Sequence, residues 1–295
     1  MKIEIVFLGT GSSIPTAKRN HPGILLQYGN ENILIDCGEG IQRQFRVARL
    51  NPCNITRILI THWHGDHVLG IPGLLQTLVH NNYNKKLFIY GPKGTKKYME
   101  AIMQMFIFHG RLDINIEEVD GRFLETKDFF FEAEKMKHNT ETNAYAFVEK
   151  DKLRIKKDFL KRKKIANSPE LKNLLEGKDI KIGKATLKAK EATYLQKGKK
   201  IVVILDTAMN QNAVEIAKNA SLLICESSFS KDEEDKAEEY FHLTTEQAAG
   251  IAKESMAEQL VLVHLSQRYE KSENKILAEA KKIFPRTNLA HDFMK

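Results

Sequence analysis

The amino-acid sequence predicts an α/β protein, in which strands and helices alternate along the chain. Short apolar runs bounded by glycine or polar residues, such as Ile58 to Ile60 and Lys86 to Tyr90, have the length of buried strands. Segments between such runs, for example Thr95 to Phe108, carry apolar side chains at helical spacing. The 295 residues, 42% of them hydrophobic, suffice for the core that such layers need.

The first third of the chain is predicted to open as a sheet. A glycine turn at Gly9 to Ser13 either closes the first strand tightly or approaches a phosphate, and the sequence leaves both interpretations open. Apolar residues at helical spacing indicate a helix from Ile41 to Ala48. The strands predicted before it are Lys2 to Gly9, Ile24 to Gln27 and Asn32 to Asp36.

Successive strands are predicted from Ile114 to Val148, and the α/β order resumes after residue 200. The elements expected there are a strand at Lys200 to Leu205, a helix at Asn212 to Asn219, a strand at Leu222 to Cys225, an acidic loop at Lys231 to Glu239, a helix at Thr245 to Ala257 and a strand at Leu260 to His264.

A cluster of potential metal ligands follows one of the predicted strands. The segment from Thr61 to His67 places three imidazoles and one carboxylate within six residues. Because residues two apart in an extended segment point the same way, His62 and His64 can bind one cation. The glycine turn after them would bring Asp66 and His67 towards a second. Surface histidines or an N-capping aspartate are the alternative, but four polar side chains at a buried strand end are costly without a ligand.

Three further candidate ligands, His138, Asp206 and His264, lie at the ends of predicted strands far along the chain. The carboxyl ends of strands are where α/β folds place ligand sites. A lone histidine there is often only a hydrogen-bonded core residue, but the first motif favours a metal ligand. The histidines without an evident partner, which we interpret as ordinary core or surface residues, are His21, His80, His109 and His291.

The stretch from Lys150 to Lys164 carries nearly the whole excess charge of the protein. It holds nine lysines and arginines against two aspartates, a net +7, compared with +8 for the chain. Since a solvated helical face would mix both signs, we predict an inserted arm, at about residues 149–190, that binds a polyphosphate substrate. The cations expected to contact phosphates are Lys156, Lys157, Lys161, Arg162, Lys163 and Lys164.

The composition narrows the class of partner and the compartment. A pI near 9.1 favours a polyanion such as nucleic acid, or alternatively an acidic membrane surface. No run of 18 apolar residues and no signal-peptide pattern occurs, so we expect a soluble cytoplasmic protein that does not enter a membrane. Three cysteines without a CxxC pair fit a reducing compartment.

Several blocks, spread over nearly the whole chain, carry a resemblance to a known family. They are Phe7 to Ser13 with Pro15, Asp36 to Gly40 followed by Gln42-Arg43-Gln44, Thr61 to Gly73 with Leu74-Leu75, Tyr90 to Gly94, and Ser266 to Tyr269. Together they resemble ribonuclease Z, the family of tRNA 3′-processing endonucleases within the metallo-β-lactamase superfamily.

This resemblance implies a single metallo-β-lactamase-type domain over residues 1–295, built as a four-layer αβ/βα sandwich with the basic arm inserted. It also implies two zinc ions per chain. One zinc would take His62, His64 and His138, the other Asp66, His67 and His264, with Asp206 bridging both.

The implied activity is that of a zinc-dependent endoribonuclease, a homodimer in this family. It would remove the 3′ trailer from tRNA precursors and leave a 3′-hydroxyl on the tRNA. A metal-activated water would attack the phosphodiester, with Asp66 as its proton acceptor. Glu226 and His242 match the family motifs that together protonate the departing 3′-oxygen. Arg268 could contact a phosphate.

Two other functions remain to be weighed. The same metal centre could hydrolyse a small phosphodiester, a thioester or a lactam, although thioester and lactam chemistry would not need the basic arm or the Glu226–His242 pair. A nucleic-acid-binding module with a vestigial site is the third reading, and the complete set of ligands argues against it.

Overall fold

The computed structural model describes residues 2–108, 111–166, 168–182 and 185–295, so His109 lies outside the described residues. Two large sheets pack face to face, and helices cover the outer face of each. Among the described residues the longest helices have 11 residues, and none is long and apolar enough to cross a membrane.

The elements are numbered in chain order. The strands are β1 (Ile3–Gly9), β2 (Gly23–Tyr28), β3 (Glu31–Ile35), β4 (Arg57–Leu59), β5 (Lys86–Gly91), β6 (Asp113–Glu118), β7 (Gly121–Phe123), β8 (Phe129–Lys135), β9 (Asn143–Glu149), β10 (Lys152–Ile155), β11 (Ile180–Ile182), β12 (Ala185–Leu187), β13 (Thr193–Gln196), β14 (Lys200–Ile204), β15 (Leu222–Glu226), β16 (Leu260–Val263) and β17 (Thr287–Leu289). The helices are α1 (Ile41–Val47), α2 (Gly65–Val68), α3 (Gly70–His80), α4 (Thr95–Met105), α5 (Lys157–Arg162), α6 (Leu171–Leu175), α7 (Ala189–Ala192), α8 (Gln211–Ala217), α9 (Glu234–Glu239), α10 (Thr245–Glu254) and α11 (Glu273–Ile283).

The first sheet has the order β1-β2-β3-β4-β5-β6, antiparallel from β1 to β3 and parallel from β3 to β6. The second has the order β17-β16-β15-β14-β9-β8-β7, with parallel pairing from β14 to β17 and antiparallel pairing among the rest. Parallel neighbours within a sheet end at the same edge. The carboxyl ends of β3 and β4 therefore lie together in the first sheet, and those of β14, β15 and β16 lie together in the second. Such edges are where α/β folds place ligand sites.

Three apolar layers hold the sandwich together. Alternation along β1 shows how the sequence makes them, because Phe7 points between the sheets while Val6 and Leu8 point to the outer helices. Phe131 and Tyr145 fill the space between the sheets from the second sheet, and α8, α10 and α11 cover its other face. The order is therefore helix, sheet, sheet, helix, which is the predicted four-layer sandwich.

Residues 152–196 form a small unit with its own apolar core. β10 pairs antiparallel with β13, which closes the insertion at its base, and β11 pairs with β12. The core of this unit contains Leu171, Leu174 and Leu187, and all residues of that cluster come from the insertion. The insertion thus packs largely on itself.

The stretch from Lys231 to Glu239, predicted as an acidic loop, is helical instead. A short 3-10 turn leads into α9, which carries Glu234 and Asp235 in its first turn and buries Ala237 completely. Carboxylates near a helix N-terminus interact favourably with the helix dipole, so the same acidic residues that indicated a loop stabilise a helix start.

Candidate metal centre

The seven predicted metal ligands converge at one edge of the sandwich. His62 and His64 follow β4, Asp66 and His67 lie in α2, His138 follows β8, Asp206 follows β14 and His264 follows β16. Their donor atoms form two groups, within each of which the atoms lie no more than 4.8 Å apart, and Asp206 belongs to both.

The first group contains His62, His64, His138 and Asp206. The Nδ1 atom of His64 lies 3.0 Å from Nε2 of His62 and 3.3 Å from Nε2 of His138. The Oδ2 atom of Asp206 is 3.6 Å from Nε2 of His62 and 3.9 Å from Nε2 of His138. Four nitrogen and oxygen donors around one point match the ligand types of a zinc site.

The second group contains Asp66, His67, His264 and the other oxygen of Asp206. Oδ1 of Asp206 lies 3.4 Å from Nε2 of His67 and 3.2 Å from Nε2 of His264. These three atoms are buried without a hydrogen-bond partner among the described residues. Since buried polar groups are normally satisfied, the orphaned atoms fit a site that holds a cation.

One histidine of the second group, His67, is oriented by a further carboxylate that sequence reasoning did not single out. Asp36 accepts a hydrogen bond from Nδ1 of His67 at 2.6 Å and from the backbone and hydroxyl of Thr61, both at 2.7 Å. This fixes the tautomer that turns Nε2 of His67 to the metal position. The turn after Asp36 packs closely against the backbone of α2. A Cβ on Gly38 would lie 2.5 Å from the Asp66 carbonyl oxygen, so only glycine fits there without a shift.

The two histidines that follow strands of the second sheet, His138 and His264, are also oriented by contacts of their Nδ1 atoms. Nδ1 of His138 donates to the Phe241 carbonyl at 3.0 Å, and Nδ1 of His264 lies 2.8 Å from the Ser228 hydroxyl. His264 also has a left-handed backbone, with φ at 57°. Such conformations cost free energy in non-glycine residues and concentrate at functional sites.

Glu226 and His242, the predicted proton-donating pair, adjoin both groups. Nδ1 of His242 lies 2.9 Å from Oε1 of Glu226, and its Nε2 lies 3.9 Å from Oδ2 of Asp206. Glu226 is fully buried and also accepts hydrogen bonds from the Thr207 backbone and the Ser228 hydroxyl. His242 therefore presents Nε2 to the metal centre.

The electrostatic surroundings set the protonation of these groups. Burial lowers the pKa of His62, His64 and His138, so their imidazoles are held neutral. Burial also opposes protonation of His242, but the carboxylates of Glu226 and Asp206 outweigh it and raise the pKa of His242 to about 9. Neutral imidazole is the form that binds a cation, whereas protonated imidazole can act as a general acid.

Asp66, predicted to accept the proton of the attacking water, lies within the second group. Its Oδ2 is 3.3 Å from Nε2 of His67 and 3.5 Å from Nε2 of His264. Burial would raise the pKa of Asp66, but the nearby imidazoles of His264 and His67 hold the pKa well below the usual range. The carboxylate is thus ionised and available as ligand and as proton acceptor.

An open cavity of about 570 Å³ gives access to the centre. Asp66, His138 and Asp206 form part of its floor, and Arg268 lies on its wall. The guanidinium of Arg268 is paired with Glu233 at 2.8 Å, with its side chain 44% exposed. Because Arg268 is already paired with Glu233, a phosphate that contacts Arg268 in this arrangement would share its positive charge with that carboxylate.

The predicted phosphate-binding cations of the insertion lie elsewhere. None of them lines the cavity, all are exposed, and among the described residues none forms an ion pair with a carboxylate. They are Lys156, Lys157, Lys161, Arg162, Lys163 and Lys164. By contrast, Lys150 and Lys152 at its base are paired with Glu125 and Asp128.

Of the histidines interpreted as ordinary, the three in the described part of the chain join neither metal group. His21 is buried, with Nε2 3.2 Å from the Ser13 carbonyl, and His291 lies 3.1 Å from an Arg19 nitrogen. His80 is exposed at the end of α3.

Comparison with known proteins decides the family. A family model described as Anti-Pycsar protein Apyc1 matches residues 3–281. The ribonuclease Z of Nanoarchaeum equitans is 38% identical over 268 residues, which cover 91% of this chain and 85% of the relative. The chain belongs to the ribonuclease Z family, and it also matches the Apyc1 family model over most of its length. The ribonuclease Z of Methanothermobacter thermautotrophicus is 39% identical over 298 residues, covering 99% of this chain and 95% of the relative.

Solved structures agree with this membership. The short form of human tRNase Z superimposes with a TM-score of 0.70 at 25% identity, covering 99% of this chain and 98% of that chain. The metallo-β-lactamase fold protein YhfI of Bacillus subtilis, at 19% identity, has the same TM-score and covers 99% of this chain and 97% of its own, which supports the fold alone. The predicted fold class, family and enzyme class, a metal-dependent endoribonuclease of the ribonuclease Z type, are confirmed.

Proposed function

We propose that this ribonuclease Z family member uses two zinc ions to remove the 3′ trailer from tRNA precursors and leaves a 3′-hydroxyl on the tRNA. The observation that carries the proposal is the pair of four-ligand groups sharing Asp206 beside Glu226 and His242. A centre for thioester or lactam hydrolysis would need the metals but not a carboxylate-held imidazole that faces them.

The donor set favours zinc. Five imidazoles and two carboxylates would hold the ions. Nε2 of His67, Oδ1 of Asp206 and Nε2 of His264 are buried without a hydrogen-bond partner among the described residues, which fits donors to a cation. Bound zinc would supply a Lewis acid and lower the pKa of a water molecule.

The protein's own groups divide the proton transfers. Asp66 is an ionised carboxylate inside the second group and can accept a proton from the attacking water. His242 faces the centre, held by Glu226, and can donate a proton to the departing 3′-oxygen. Acid and base thus come from different elements, since Asp66 lies in α2 and His242 lies between α9 and α10.

The basic insertion supports a polyanionic substrate larger than the cavity. Its six cations lack acidic partners among the described residues and lie outside the cavity, so they are free to bind phosphates remote from the cut. A small phosphodiester would reach the metal centre without meeting them. This distribution favours precursor tRNA over the alternative of a small-phosphodiester hydrolase.

A cytoplasmic homodimer completes the proposal. Exposed apolar side chains follow one another near the end of α4, with Met105 72% and Ile107 80% exposed, and would be covered in a dimer. The three cysteines are free thiols, which fits a reducing compartment. Light scattering on purified protein should give twice the mass of the chain, and a monomer at micromolar concentration would refute this part.

The deciding experiment uses a tRNA precursor with a 3′ trailer. We expect cleavage at one position, a 3′-hydroxyl on the tRNA fragment, and loss of activity with a chelator that added zinc restores. Asp66→Ala should be inactive. If the precursor remains intact while a cyclic or aryl phosphodiester is hydrolysed, the function is that of the small-substrate alternative. Zinc well below one ion per chain in the active protein would refute the metal assignment.

A further inference from the structure

One wall of the catalytic cavity is aromatic, and neither metal group uses it. The ring of Tyr240 stacks on that of Phe229, with centroids 6.4 Å apart and planes 7° apart. Phe229 is buried, but Tyr240 is 55% exposed and lines the cavity. Since most of its ring faces solvent, packing alone does not account for Tyr240.

Two cations stand beside the aromatic rings on the same wall. The Arg268 guanidinium lies 5.2 Å from the centroid of the Phe229 ring, and Lys236 also lines the cavity. Both are held by a single carboxylate, since Oε1 of Glu233 is 2.8 Å from Arg268 and 2.7 Å from Lys236. Glu233 is thus shared between two cations that line the cavity beside the exposed aromatic face.

This combination is what single-stranded nucleic acid requires. An aromatic face stacks on a base whatever its identity, and a nearby cation meets the phosphate. The wall therefore has the chemistry of a subsite for one ribonucleotide.

The position of the proton donor identifies the nucleotide. The departing 3′-oxygen belongs to the ribose on the 5′ side of the cut, so that ribose must lie next to His242. The imidazole of His242 lies 6.0 Å from the Phe229 ring, centroid to centroid. The base on that ribose is therefore the one nearest to the aromatic wall.

We propose that Tyr240, backed by Phe229, stacks on the base of the nucleotide immediately 5′ of the cut, and that Lys236 and Arg268 contact an adjacent phosphate. This inference rests on the proposed function and deepens it. It makes the aromatic wall the feature that fixes the cleavage position, while the metal centre supplies the reaction.

The test combines enzyme variants with modified precursors. The substrates are an unmodified precursor, one abasic at the nucleotide 5′ of the cut and one abasic at the nucleotide 3′ of it. The enzymes are wild type, Tyr240→Ala, Tyr240→Phe, and Met256→Ala as a matched loss of an exposed apolar side chain outside the cavity. Melting temperature and metal content establish that each variant is folded and loaded.

On the unmodified precursor, Tyr240→Ala should lower kcat/KM about 5- to 100-fold, as expected for the loss of one stacked base. It should also spread cleavage over neighbouring nucleotides instead of one position. Tyr240→Phe and Met256→Ala should behave as wild type. The abasic site 5′ of the cut should remove the difference between wild type and Tyr240→Ala, whereas the abasic site 3′ of it should preserve that difference.

Two results would overturn the inference while the proposed function stands. They are equal cleavage of the unmodified precursor by wild type and Tyr240→Ala, and a defect of Tyr240→Ala that persists when the 5′ base is absent. If the defect vanishes only with the 3′ base absent, the wall binds the trailer and the assignment of the nucleotide is wrong. If wild type leaves every precursor intact, the proposed function fails and this inference fails with it.

Discussion

At the residue scale, Glu226 connects the proposed proton donor, His242, to the candidate metal ligands. Its two carboxylate oxygens accept hydrogen bonds from His242, the Thr207 backbone and Ser228. Ser228 in turn contacts Nδ1 of His264 at 2.8 Å. One buried carboxylate therefore orients the acid and, through one hydroxyl, a ligand of the second metal group.

Replacing Ser228 by alanine tests that connection. The loss of the hydroxyl should weaken metal binding about 10- to 100-fold, because partners of metal-bound histidines typically contribute that much to affinity. Titration with zinc in a competing chelator measures this directly. Ser228→Thr, which retains a hydroxyl, should restore binding.

Ser227→Ala provides the matched control for Ser228→Ala. Ser227 is equally buried, but its hydroxyl donates only to the Val263 carbonyl at 3.2 Å. If both alanine variants bind zinc with equal affinity, the hydroxyl of Ser228 does not orient His264.

His242 can be tested through the leaving group. His242→Ala should lower kcat on precursor tRNA about 10²- to 10⁴-fold, the usual contribution of a general acid. With bis(p-nitrophenyl) phosphate the loss should be much smaller, because p-nitrophenolate departs without a proton. His291→Ala, at an exposed histidine outside the cavity, serves as control. Equal losses on both substrates would exclude His242 as the proton donor.

The sequence predicted the seven residues that converge at the candidate metal centre but not the residues that orient them. Ligand types at strand ends are visible in a sequence, and the cluster from His62 to His67 favoured a metal site over the other roles of such residues. Asp36 met the same criterion, at the end of β3, and could have been found by it. Ser228 and Thr207 could not, because a serine or threonine at a strand end is common and only the fold brings them to Glu226.

At the scale of elements, the role proposed for the insertion from β10 to β13 would separate substrate affinity from chemistry. It has its own apolar core, so charge changes on its surface should not disturb the sandwich. The sequence predicted an inserted arm at about residues 149–190 from charge alone, whereas α9 was predicted as a loop because an acidic run fits both a loop and a helix start.

Neutralising Lys157, Lys161 and Lys164 to glutamine should weaken binding of precursor tRNA and flatten its salt dependence. Each lost phosphate contact should reduce the slope of log K against log salt by about 0.7 to 0.9. Filter binding across a salt series gives the slope. Neutralising Lys253, Lys281 and Lys282, which are exposed on α10 and α11, removes the same charge elsewhere and should leave the slope unchanged. Identical slopes in the two triple variants would refute the assignment of the insertion.

At the scale of the whole molecule, the metal centre joins the two sheets. His62, His64, Asp66 and His67 follow β4 of the first sheet, while His138, Asp206 and His264 follow strands of the second. The sheets otherwise meet through the apolar layer between them. Bound ions would therefore stabilise the folded state by holding together ends that are far apart in sequence.

Removal of metal should consequently lower the melting temperature as well as the activity. At a free zinc concentration 100 times its dissociation constant, one site contributes about 2.7 kcal/mol, which corresponds to a shift of about 4 to 5 °C for a chain of this size. Calorimetry at increasing zinc should show this rise in the wild type. Asp206→Asn, which weakens a ligand shared by both groups, should show a smaller rise, whereas Ser227→Ala should follow the wild type. A melting temperature independent of zinc would mean that the ligands do not bind metal across the two sheets.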